Sequence, residues 1–258
     1  MVLERYEKHP GIRRLVDQIQ DPPLLVLRYF DDNLLNLSKS RIIEGRELKL
    51  VARTVLQALA ALHGDGFIHT DVKPDNILVN YENDSKAICE VALGDCGDAC
   101  NIDTLADSED GHIIGAGIFR SPEAMLNLKW GPPTDIWSFG TTLISLIWGK
   151  GWHIFKPGNI DPADEKYPAY IMIKQINLFG PLPKKFAEIA DEERADMAMQ
   201  LNDYVERMSS KQRKPFALAE DARLSGENRE FICKIMKLDP RDRPTAEELL
   251  KDKWFNGA

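Results

Sequence analysis

"GFIHTDVKPDNILVN", residues 66–80, decides how the chain is to be read. His69, Asp71, Lys73 and Asn76 crowd into a short polar stretch between two regular runs. Before it, "RELKLVARTVLQALAALH" (46–63) sets Leu48, Val51, Val55, Leu59 and Leu62 on one face at helical spacing. Gly64 and Gly66 end that helix. After it, "NILV" (76–79) and "ICEVALG" (88–94) read as a strand pair around a polar turn. An acid-bearing loop is thus held between a helix and a hairpin.

Working outward, residues 11–30 hold two short β-like runs separated by the turn signal Asp21-Pro22-Pro23. Beyond residue 94, strand signals stop and helices take over. "PTDIWSFGTTLISLIW" (133–148) is apolar nearly all round and predicts a buried helix. Further helical stretches are expected at 165–179 and 227–238. Thr245 and Glu248, behind Pro244, form a capping box that opens "AEELLKDKWF". Residues 149–164 and 180–226, rich in Pro, Gly and charge, read as insertions with short helices. A few strands followed by a helical mass make an α+β layout with little sheet.

Composition narrows the function classes. The 258 residues are 43% hydrophobic and 29% charged, as in an ordinary soluble globular protein. A net charge of -8 argues against non-specific nucleic-acid binding. Cys89, Cys96, Cys100 and Cys233 lack zinc-type pairing and read as reduced thiols of an intracellular protein. The N-terminal stretch has no apolar signal core, and "TTLISLIW" (141–148) is too short to span a bilayer, so no membrane role is expected.

The central loop has the parts that phosphoryl transfer from ATP needs. Asp71 can orient the attacking hydroxyl and take its proton, and Lys73 can neutralise the moving phosphoryl. Asn76 can hold a metal ion through its side-chain oxygen. In "LGDCGDA" (93–99), Asp95 supplies a second metal ligand, with Gly97 allowing a tight turn. Each residue alone is ordinary: an isolated Asp is more often a turn or cap. The ordered set D-x-K-x-x-N…D-x-G is what carries the signal.

With these motifs the chain resembles the eukaryotic protein kinase superfamily of the Ser/Thr type. "RSPEAM" (120–125) looks like the close of the activation segment, "DIWSFG" (135–140) like the central C-lobe helix, and "RDRPTAEELL" (241–250) like the last helix. The resemblance implies a buried ion pair between Glu123 and Arg243, and an Asp135 that accepts hydrogen bonds from the backbone around residues 69 and 70. Thr70, "GDAC" (97–100) and the insert with "LFGPLPKKF" (178–186) are similar to the serine/arginine-protein kinases of the CMGC group.

The implied function is a Mg-ATP-dependent phosphotransferase acting on Ser/Thr of a protein or peptide, as a monomer. The implied cofactors are ATP and Mg2+. "LLVLRYFDDNL" (24–34) would be the last N-lobe strand and hinge, with backbone groups at Arg28 and Phe30 facing adenine and Leu78 beneath it. His69 would pack in the stack beside Asp95, where Cys96 replaces the usual Phe or Leu. "ERYEKHPGIRRL" (4–15) would be the tail of the helix that carries the lysine-binding Glu, with Glu4 a candidate for it. A Gly-rich strand-turn-strand and a strand Lys are not found ahead of the loop. The expected organisation is therefore residues 1–33 as remnant N-lobe and hinge, and 34–258 as a complete C-lobe. Two functions stay open: a protein kinase, or an inactive pseudokinase serving as a protein-binding module.

Overall fold

The computed structural model describes residues 2–82, 86–105 and 112–256. In chain order the elements are α1 (Val2–Arg5), β1 (Leu15–Ile19), β2 (Leu24–Leu27), β3 (Asp32–Asn33), α2 (Leu34–Ser40) and α3 (Gly45–Gly64). β4 (Phe67–Ile68), β5 (Ile77–Glu82), β6 (Ala87–Leu93), β7 (Cys100–Asn101), α4 (Ile102–Leu105) and α5 (Pro122–Met125) follow. The helical remainder is α6 (Pro133–Trp148), α7 (Tyr167–Phe179), α8 (Glu192–Glu206), α9 (Gly226–Ile235) and α10 (Ala246–Leu250).

The α+β layout holds. β1 and β2 form an antiparallel hairpin, with Leu15 opposite Leu27 and Ile19 opposite Leu24. β5 lies between β3 and β6 in a second small sheet, where Ile77 faces Leu93 and Leu78 faces Ala92. A third pairing, β4 with β7, was not expected: Cys100 and Asn101 return beside the start of the catalytic-type loop. Two residues carry no detectable period, so this pairing is set by the tertiary fold.

α3 buries Leu48, Val51, Val55, Leu59 and Leu62, the stripe the spacing predicts, together with Leu56 between them. α6 is the centre of the core, with every residue from Thr134 to Ile147 buried. Its Trp137 stacks on Phe155 at 5.6 Å. Gly140 lets α9 approach closely, because a Cβ there would stand 2.5 Å from Met236 Sδ and 2.6 Å from Ile235 Cγ2. The capping box forms, with Glu248 N donating to Thr245 Oγ1 and Thr245 N to Glu248 Oε2.

Three expectations need correction. Residues 180–226 were expected to hold only short helices, yet α8 runs for 15 residues. Asp191 caps it, but it buries only Ala198 and Val205, so its apolar period is too weak to read. The helix expected at 227–238 stops at Ile235. "AEELLKDKWF" breaks after Leu250, where Asp252 caps a separate 3₁₀ turn, Lys253–Phe255. Among the described residues, no helix is long and apolar enough to cross a membrane.

Candidate active site

The loop between β4 and β5 is held from below by Asp135, the third residue of α6 and fully buried. Its Oδ2 accepts from the His69 amide (2.8 Å) and its Oδ1 from the Thr70 amide (2.8 Å). Thr70 sits at φ 70°, in the left-handed region that a β-branched residue rarely enters, so this clamp holds a strained backbone. His63 adds a third contact, Nε2 to Asp135 Oδ2 at 2.9 Å. Sequence reasoning missed His63, because a lone His at a helix end is an ordinary capping residue.

His69 is buried, as expected for packing. Nε2 donates to the Gly94 carbonyl (2.8 Å) and Nδ1 accepts from the Asp71 amide (3.3 Å). Both ring nitrogens are therefore occupied within the fold. Gly94 is the tie between the two halves of the site. Its amide donates to the Asn76 carbonyl at 2.7 Å, and Asp95 follows it directly.

Asp71, Lys73 and Asn76 form one cluster. Asp71 Oδ2 accepts from Lys73 Nζ (2.5 Å) and Asn76 Nδ2 (2.9 Å), and the same amide group reaches the Asp71 carbonyl at 2.9 Å. Asn76 thus turns its nitrogen inward and leaves Oδ1 without a partner among the described residues. Asp95, exposed and at φ 55°, has a carboxylate that likewise takes no hydrogen bond among them. The two halves of the site are tied together through Gly94. Asp71 also lines a narrow cleft with Gly115 and Phe119.

Gly115 is pressed against this cluster at φ 52°. A Cβ on it would meet the Thr70 carbonyl at 2.6 Å and Asp71 Oδ1 at 3.4 Å. Arg120 pins the same segment, with Nε on the Ile114 carbonyl (2.7 Å) and Nη2 on the Gly115 carbonyl (2.8 Å). Burial lowers the Arg120 guanidinium below the ordinary arginine value.

Glu123 and Arg243, 120 positions apart, pair bidentately at 2.6 and 2.7 Å with both side chains buried. Arg243 also donates to the carbonyls of Pro133, Lys237 and Leu238, so all five of its N–H groups are used. Its guanidinium lies 5.1 Å from the centre of the Trp137 ring.

In the hinge stretch some backbone groups are engaged within the fold. Arg28 does not present a free backbone: its amide donates to the Arg14 carbonyl (2.9 Å) and its carbonyl accepts from Arg13 Nε (2.8 Å). The Arg28 side chain bridges to Glu90 at 2.7 Å and lies over the buried Phe30 ring at 5.4 Å. The amide and carbonyl of Phe30 have no partner among the described residues. Leu78 is half-buried, and its Cδ1 would stand 3.1 Å from a Cβ on Gly94. Glu4 accepts from Gln18 Nε2 on β1 at 2.7 Å.

Cys96 is a free, buried thiol, pushed up to about 12 by burial and by the nearby Asp95 and Asp135 charges. Such a thiol packs and does not react. A groove of about 800 Å³ lies between α7 and α8, elements that carry none of the site residues.

This geometry belongs to a chain that matches the protein kinase domain over residues 1–255, and the protein is a member of that family. It is 28% identical over 233 residues to a serine/threonine-protein kinase US3 homolog of Varicella-zoster virus, which covers 90% of this chain and 56% of the relative. It is 28% identical over 234 residues to the mitogen-activated protein kinase 12 of Rattus norvegicus, with the same 90% and 56% coverage. Dual specificity protein kinase lkh1 of Schizosaccharomyces pombe is 30% identical over 118 residues, covering 41% of this chain and 16% of the relative. The chain thus spans about half the length of the two broader matches.

Proposed function

We propose that residues 1–258 carry the catalytic and peptide-binding part of a protein Ser/Thr kinase that uses Mg-ATP. The observation that carries this reading is the Asp71–Lys73–Asn76 cluster joined through Gly94 to Asp95. Asp71 takes the proton of the substrate hydroxyl while that oxygen bonds the γ-phosphorus and the bond to the ADP oxygen breaks. Asn76 and Lys73 hold the Asp71 carboxylate in one orientation, ready for that proton. Lys73 has two N–H groups beyond its bond to Asp71, and these stabilise charge on the transferring phosphoryl.

The free oxygens of Asn76 and Asp95 fit magnesium, a hard cation that takes few protein oxygens and keeps water or phosphate as its other ligands. Bound there, it would neutralise phosphate charge.

The finer assignments follow from the motifs. Lys73 two residues after Asp71 favours Ser/Thr over Tyr. Thr70 and the 178–186 insert support a likeness to the serine/arginine-protein kinases. Residues 1–33 act as N-lobe and hinge, and 34–258 as C-lobe. Four reduced thiols suit an intracellular compartment. The binding-module alternative draws on the Arg28 carbonyl, which is already taken by Arg13.

Titration with Mn2+ and ATP, Mn2+ serving as a paramagnetic substitute for magnesium, tests the metal assignment. NMR broadening centred on Asn76 and Asp95, and lost in Asp95→Ala, is expected. Broadening spread over the acidic surface and unchanged in that variant would sink the assignment.

A further inference from the structure

Arg13 has no role assigned from the sequence, yet its side chain reaches the Arg28 carbonyl and the Gly94–Leu78 contact, beside the residues proposed to face the base. Its amide donates to the Leu93 carbonyl at 2.8 Å, which fixes it beside the end of β6. Its Cδ would stand 3.6 Å from a Cβ on Gly94, the same point that Leu78 Cδ1 approaches to 3.1 Å. From there the guanidinium reaches the Arg28 carbonyl, Nε to O 2.8 Å. Among the described residues the terminal Nη groups of Arg13 have no partner.

The hydrogen-bonding character of the proposed base site is thereby changed. An adenine ring needs an acceptor for its 6-amino group, and one of the two acceptor positions of the Arg28 carbonyl is filled by Arg13. Beside that carbonyl stand charged donors, the Arg13 Nη groups, to which an amine offers no acceptor. A 6-oxopurine presents an acceptor to those donors, and its N1–H can take the remaining acceptor position of the carbonyl. A charged donor facing a carbonyl oxygen makes a stronger hydrogen bond than a neutral one, and leaving it facing an amine is unfavourable.

We infer that Arg13 is a base-specificity residue that turns this nucleotide site away from adenine and toward 6-oxopurines such as guanine. The inference rests on the proposed nucleotide site. Arg13 is half-exposed, and its replacement by Met keeps the stem that packs on Gly94 while removing every donor.

The 258-residue chain and Arg13→Met are titrated with Mg-ATP, Mg-GTP and Mg-ITP, following amide shifts by NMR. Matched thermal melts check that both fold. In the parent, GTP and ITP are expected to bind more tightly than ATP. In Arg13→Met the ATP-to-GTP affinity ratio is expected to rise by roughly tenfold, the scale of one charged hydrogen bond. ITP should follow GTP, because the 6-position decides and the 2-amino group does not. Binding of all three with a ratio unchanged by the substitution overturns the Arg13 assignment alone. ITP that behaves like ATP does the same. Absence of binding to either protein overturns the nucleotide site itself, and the inference with it.

Discussion

Glu123→Ala removes one half of an ion pair whose other half has no alternative charge partner among the described residues. Arg243 would keep its three carbonyl contacts, from Pro133, Lys237 and Leu238, but its charge would sit buried against Trp137 with no counter-ion. Breaking such a pair costs roughly 3–5 kcal/mol. Arg243→Ala strands the Glu123 carboxylate and deprives three carbonyls of a donor, so its cost falls at the upper end of the same range. For a domain of this size that is a fall in melting temperature of roughly 6–20 °C. The double variant Glu123→Ala/Arg243→Ala loses both charges, so its cost should be clearly less than the sum of the two singles. Melts of the four proteins by circular dichroism, with urea titrations for free energies, give the cycle. Single variants that melt with the parent, or a double whose cost equals the sum, would refute the claim that this pair is buried and coupled.

Other outcomes follow from the same geometry. Gly140→Ala forces a methyl onto Met236 and Ile235 and should cost roughly 1–3 kcal/mol; an unchanged urea midpoint would show that α9 can move away. The Asp221 carboxyl is lowered from 3.8 to about 2 by the Arg223 side-chain hydrogen bond and then by the Arg223 amide. Because the folded value is depressed, its contribution is present above 3.8 and is lost as pH falls through about 2. NMR titration of the carboxyl carbon should show that midpoint and a return toward 3.8 in Arg223→Ala; an ordinary midpoint in the parent would contradict the contact. Thr70 offers no guanidinium to an activation-segment phosphate, so phosphatase treatment of an active form should leave its rate on a peptide unchanged. A large loss would show that another cation reads the phosphate.

The elements legible in the sequence were those whose signal is local and repeated. α6 was read to the residue, because apolar residues lie nearly all round it from Pro133 to Trp148. The β5–β6 pair and the Thr245–Glu248 box were equally plain. The Glu123–Arg243 bond joins residues 120 apart and was reachable only through family resemblance. α8 was under-read because it rests on a cap and helix propensity with little buried surface. Within the site, Asp71, Lys73 and Asn76 come together as their spacing suggested. The contact on the Arg28 carbonyl was not legible, because it comes from Arg13 across a hairpin, and one long polar side chain leaves no period to read. His63 escaped for a similar reason: its target, Asp135, lies 72 positions away.

The central claim is that Asp71 accepts the proton in phosphoryl transfer, and it is tested most directly by transfer of labelled γ-phosphate to a Ser/Thr peptide. The assay compares residues 1–258 alone with a chain extended at its N-terminus by a Gly-rich strand pair and a Lys-bearing strand, each as parent and as Asp71→Asn. Positioning sets the rate of this reaction, and a misplacement of ~1 Å costs about a hundredfold. Residues 1–258 alone are therefore expected to transfer barely at all. The extended parent should transfer, and Asp71→Asn should cut its rate by roughly 10²–10⁴-fold with an unchanged melt. An extended Asp71→Asn protein that still transfers at the parent rate would contradict the account.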